Sequence, residues 1–183
     1  MPPRSKITKD MIIDAGLNIV RNEGQESLNV RRIAAELDCS TQPVMYHYKT
    51  VDELKADIYF AADEFHTNYI MTPDESADVP FLSIGMKYIK FADEESHLFR
   101  FLFQSDKFKS SFSELTSADA LAPIIEPMCK AFGLTEEKAS EVFDAVFMTV
   151  HGAASLLANN SLSYDEAYFR KLLTDVFNGM IER

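Results

Sequence analysis

Thr41, Gln42, Tyr46 and His47 share the polar outer face of a short helical stretch that opens after Ser40. Hydroxyl, carboxamide, phenol and imidazole groups on one helix face are hydrogen-bonding chemistry. They suit base edges and phosphates in a DNA groove. No comparable set exists for catalysis. The chain has no nucleophile–base pair, no phosphate loop and no dinucleotide fingerprint. We therefore read a protein that is not an enzyme, with no catalytic residue and no cofactor. Cys39 and Cys129 are the only cysteines, and no His, Cys and Asp fall at metal-ligand spacing, so no metal is expected. Cys39 reads as a small apolar residue rather than a redox switch.

A reading helix needs a scaffold. Thr8 can cap a first helix that carries Ile12, Ala15 and Ile19 on one face, and Gly24 suits the position past its end. Asn29 can cap a second, short helix with Ile33, Ala34 and Leu37 as its apolar side. Asp38-Cys39-Ser40 is a tight turn, and Ser40 can cap the third helix, where Pro43 is tolerated in the first turn. Ile12, Leu17, Ile33, Ala34, Leu37 and Val44 form the apolar triangle of a helix-turn-helix. Thr50 and Glu53 make a capping box for a fourth helix that runs to about Met71.

Residues 72–79 read as a loop. Helical periods resume over 80–91, 94–104, 120–132, 136–159 and 164–182, with a Ser-rich stretch over 106–120. Pro123 and Pro127 predict a bend in the 120–132 helix. No strand is expected, and the fold class is all-α.

Composition divides the chain. Over 183 residues the formal net charge is −11, yet residues 1–55 hold eight Lys/Arg and eight Asp/Glu and are neutral. All 14 Phe residues lie beyond position 55. An acidic, Phe-rich unit repels nucleic acid and anionic membranes, so DNA contact belongs to the N-terminal unit. We set the division at 1–50 and 51–183. Arg4, Lys6 and Lys9 form a basic arm ahead of the helices. No apolar run reaches the ~18 residues of a membrane span and no signal sequence opens the chain, so a cytoplasmic protein without a membrane partner is expected.

Residues 8–54 resemble the DNA-binding domain of the TetR (tetracycline-repressor) family of transcriptional regulators. Ala15, Gly24, Ile33-Ala34, Leu37, Ser40-Thr41-Gln42-Pro43, His47-Tyr48-Lys49 and Leu54 carry the likeness. Three positions depart from the family pattern: Asp38 stands for the usual turn Gly, Met45 for a Tyr, and Val51 for a Lys. The resemblance implies that Arg31 reads guanine, Gln42 pairs with adenine and Pro43 packs on a thymine methyl. It assigns Thr41, Tyr46, His47 and Lys49 to the DNA backbone.

The C-terminal unit reads as a dimerisation and sensing body. Tyr168, Leu172, Val176 and Met180 form one apolar stripe of the last helix, and Phe169, Leu173 and Phe177 another. Two stripes imply burial on two sides, in a core and against a partner. The resemblance implies a two-fold bundle of the last two helices, so a homodimer is expected, with Val150, Ala154, Leu157, Leu172, Val176 and Met180 at its interface. Tyr88, Phe91, Phe103, Met128, Phe147 and His151 are the expected lining of a pocket for an apolar or aromatic small-molecule effector. An acidic lining would favour cations, but the sequence does not say which acids face inward. The implied function is a ligand-responsive regulator, most simply a repressor released from a palindromic double-stranded DNA operator. The alternative is a helix-turn-helix coactivator or protein-recruitment module with little operator binding of its own.

Overall fold

The computed structural model describes residues 7–72, 79–105 and 118–182. Arg4 and Lys6 of the expected arm, most of the 72–79 loop and the stretch 106–117 lie outside them. Nine α-helices are present among the described residues, and no strand: α1 (Lys9–Glu23), α2 (Val30–Glu36), α3 (Thr41–His47), α4 (Val51–Met71), α5 (Pro80–Glu94), α6 (Ser96–Phe103), α7 (Ala118–Phe132), α8 (Glu136–Ala158) and α9 (Glu166–Ile181).

Local chemistry sets the ends of these helices. The hydroxyls of Thr8, Thr50 and Thr135 accept hydrogen bonds from the backbone N–H of Met11, Glu53 and Lys138, and the Asn29 carboxamide does so from Arg32. Glu53 completes its cap by accepting from the Lys49 backbone N–H at 2.9 Å rather than from Thr50. Ser40 is extended, as a cap should be, but its side chain makes no cap hydrogen bond. Gly24 ends α1 at φ 86°, a conformation that an L side chain rarely adopts.

The N-terminal head is α1–α3. Ile12, Ile33, Ala34 and Val44 are buried at its centre, with Leu17 and Leu37 partly buried beside them. Head and body join through α4, which packs on α1, α5 and α6, and through α1, which packs directly on α6. α1 and α4 lie close at Gly16, where an added Cβ would crowd Ile58 of α4, 2.8 Å from its Cγ1.

The body is built around α8, which packs on α5, α6, α7 and α9. By length and apolar composition α8 alone among the described helices is long and apolar enough to cross a membrane. Its apolar residues are instead used inside the protomer: Val142, Val146, Val150, Ala154 and Leu157 are buried there. α5 and α8 lie close at Gly85, where an added Cβ would be 3.1 Å from Val150 Cγ2.

This packing corrects part of the expected dimer surface. Val150, Ala154 and Leu157 are at most 4% exposed, because α5 and α9 cover that stripe of α8. Val176 and Met180 are partly buried against the same core, and Leu172 is half-buried. The outward apolar side chains are Met148 and Leu156 on α8 and Tyr168 on α9.

Candidate functional site

The turn between α2 and α3 presents the candidate reading surface. Asp38 adopts φ 47°, the left-handed conformation that glycine or a short polar residue takes most easily. The Cys39 N–H then returns 2.9 Å to the Ala34 carbonyl and closes α2. Val44 is fully buried and anchors α3 to the head. The opposite face of α3 is open. Thr41 and Gln42 are exposed, Pro43 is half-buried, and Tyr46 is 85% exposed.

His47 is differently placed from the expected phosphate contact. Its Nε2 lies 3.0 Å from the Ile7 carbonyl oxygen, to which it donates, so this ring ties down the chain ahead of α1. Tyr46 meets His47 edge to face at 5.8 Å. Lys9, the last residue of the expected basic arm, is in the first turn of α1. It pairs with Asp57 of α4 at 2.6 Å and lies over the Tyr48 ring. Lys49 is exposed at the start of α4.

The two arginines of α2 have separate fates. Arg31 is exposed and makes no ion pair among the described residues. Arg32 is held between Glu23 at 2.6 Å and Glu36 at 2.8 Å, and the hydrogen bonds it donates to both carboxylates raise its pKa further. Arg31 thus keeps an open guanidinium fork on the surface, while Arg32 braces the head.

Beneath the head, α4, α5, α7 and α8 enclose a cavity of about 330 Å³. Of the expected lining residues, Tyr88, Phe103 and Phe147 face it. Phe91 and Met128 do not: both are buried in the surrounding core, Phe91 with its ring against Phe65, Tyr69 and His66. His151 stands behind the lining, its Nδ1 2.9 Å from the Tyr88 hydroxyl. Burial lowers the His151 pKa and raises that of Tyr88, so both are neutral near pH 7 and Tyr88 can donate.

Three polar residues of the lining were missed by sequence reasoning: Asp63, His66 and Thr67 of α4. His66 is 5% exposed. Its ring stands edge-on to Tyr88, Phe91 and Phe103 at 5.2, 4.8 and 5.0 Å, and its Nε2 has no hydrogen-bond partner among the described residues. Burial pulls its pKa down to about 4. Asp63 is half-buried, and burial alone raises its pKa. A signal was present: Leu54, Ile58, Ala62 and His66 recur at spacing four and form the buried stripe of α4, which ends in a histidine. Among the described residues, no group of three His, Cys, Asp or Glu comes together to hold a metal.

No protein-family model and no curated protein matches the sequence. Solved structures do resemble the fold. A TetR-like transcriptional regulator from Rhodococcus sp. RHA1 superposes with a TM-score of 0.67 at 14% identity, covering 96% of each chain. BioQ bound to its natural double-stranded DNA operator matches with a TM-score of 0.60 at 17% identity, over 97% of this chain and 99% of that one. Mycobacterium smegmatis BioQ gives 0.50 at 19% identity, over 96% and 98%. The chain has the all-α fold of TetR-like regulators.

Proposed function

We propose that this chain, with its TetR-like fold, is a DNA-binding transcriptional regulator that answers a small molecule, most simply a repressor released from its operator when the effector binds. One observation carries this reading. Helix α4 belongs to both candidate sites: its first turn follows directly on the open face of α3, and three turns later Asp63, His66, Thr67 and Ile70 line the cavity. A ligand that favours one position of α4 therefore selects one position of the head.

The switch is a shift of population. An effector moves the equilibrium only by its difference in affinity between the DNA-competent and incompetent conformers. Arg31, Gln42 and Pro43 are the base-reading set, with Thr41, Tyr46 and Lys49 on phosphates; His47 acts through the Ile7 carbonyl. The protein works as a homodimer. Met148, Leu156 and Tyr168 supply an outward apolar surface on α8 and α9, with partly buried Leu172, Val176 and Met180 beneath it. Gly152 and Gly179 have open space around their missing Cβ, so helix backbones can approach there. A two-fold dimer sets two α3 helices about one DNA turn apart, roughly 34–36 Å, and matches a palindromic site.

Selection of bound duplexes from a random pool by the purified full chain tests this. A palindrome with two half-sites is the expected product. A folded dimer that enriches no sequence overturns the regulator reading and leaves a protein-recruitment module in its place.

A further inference from the structure

The cavity beneath the head is lined by an acid with no counter-charge among the described residues. Its walls are hydrocarbon and aromatic, from Phe81, Phe103, Phe143, Phe147 and Ile124. The Tyr88 hydroxyl is engaged by His151. His66 is enclosed by three aromatic rings and stays neutral near pH 7, so it supplies no cation. That leaves Asp63. Its carboxyl is half-buried in the lining and makes no ion pair with a Lys, Arg or His among the described residues.

A carboxylate in such surroundings discriminates strongly by charge. An anionic ligand is repelled at short range in a poorly screened site. A neutral ligand gains only apolar burial. An organic cation gains that burial, pairs with the carboxylate and also meets the negative faces of the aromatic rings. Two of those rings, Phe143 and Phe147, lie parallel with centroids 5.7 Å apart. The volume, about 330 Å³, is at the small end of the roughly 300–1,000 Å³ typical of ligand pockets.

We propose that the cavity takes a small amphiphilic amine: an apolar or aromatic body lodged among the phenylalanines, with one protonated nitrogen on the Asp63 carboxylate. This rests on the effector-site reading above and names the effector's chemical class.

Three probes of equal chain length separate charge from apolar burial: decylamine, decanol and decanoate, each below its micellar concentration. Calorimetry on the full chain at pH 7.5, without DNA, measures binding. Decylamine is expected to bind about tenfold more tightly than decanol, a margin of ~1.4 kcal/mol, and decanoate more weakly than decanol. Asp63→Asn keeps the side-chain shape and removes the half-buried charge, and it should bring amine and alcohol within about twofold of each other.

Equal binding of amine and alcohol to the wild-type protein overturns the proposal. So does an amine preference that persists in Asp63→Asn, since the excess negative charge of the surface would then be its source, and so does the failure of all three to bind. The ranking on the wild-type protein needs no variant to fold. Because DNA is absent, an amine preference together with no enriched duplex would retain the assignment of Asp63 and defeat only the regulator reading.

Discussion

Arg21, in the last turn of α1, holds Glu95 at the junction of α5 and α6 through two hydrogen bonds, Nε to Oε2 at 3.0 Å and Nη2 to Oε1. The same guanidinium lies 4.9 Å over the Phe65 ring of α4. One side chain of the head thus touches both α4 and the residue that joins α5 to α6. The carboxylate bonds raise the Arg21 pKa, and bidentate geometry fixes the angle between α1 and the body.

Breaking that link should loosen the head more than it unfolds the chain. Glu95→Gln keeps the shape and removes the charge. Because the Arg21 side chain is 36% exposed, a stability loss of about 1 kcal/mol or less is expected in urea melts. The larger effect should be on coupling: a cavity ligand would change duplex affinity less in Glu95→Gln than in the wild-type protein. An unchanged ligand effect would place the coupling in α4 alone.

Arg31 and Arg32 are neighbours in sequence with opposite expected phenotypes. Arg31→Ala should cost ~1–3 kcal/mol of binding to the selected duplex and relax preference at one base pair. Arg32→Ala should leave base preference intact and lower the melting temperature, because Glu23 and Glu36 lose their shared cation. Binding to a panel of single-base variants of the selected site distinguishes the two roles.

His66 predicts an acid-sensitive body. It is neutral in the native state, with its pKa near 4, while an unfolded chain protonates it near 6.5. Between those values the unfolded state binds more protons, so stability falls as pH drops through that window. The slope is at most about 1.4 kcal/mol per pH unit from this one group. Asp63, whose pKa is raised, works the other way at the acid end of the window. His66→Phe should flatten the slope in urea melts between pH 6.5 and 4.5. Parallel losses in both proteins would remove His66 as the cause.

Gly16 predicts a steric effect at the hinge between α1 and α4. An alanine there would bring its Cβ 2.8 Å from Ile58 Cγ1, and overpacking of this kind costs ~1–3 kcal/mol. Ile58→Val removes the far methyl and should recover part of the loss in the double variant. Simple additivity of the two single losses would show that the clash is not the mechanism.

The outward apolar residues predict where the partner sits. Met148 is 64% and Leu156 48% exposed on α8, eight residues apart on one side of the helix. Met148→Glu with Leu156→Glu should leave the helical circular dichroism intact and convert a dimer to a monomer in sedimentation. A dimer that survives both charges would move the interface elsewhere.

Much of the fold was legible because helices write their ends locally. Thr8, Asn29 and Thr50 cap where their side chains predict, and Asp38 takes the left-handed turn that closes α2 before α3. Caps and periodicity depend on residues three or four apart, and such information is in the sequence by itself. So are the all-α class, the apolar triangle of the head and the polar face of α3. Only the tertiary structure decided which apolar side chains of α8 meet its own core and which face out, because helical spacing does not say which side a neighbouring helix covers. That is why Val150, Ala154 and Leu157 lie inside the protomer while Met148 and Leu156 face outward. The same holds for the cavity. Asp63 is an ordinary acid on α4 until α5, α7 and α8 pack beside it, and its want of a cation among the described residues is a property of what packs around it rather than of its neighbours in the chain.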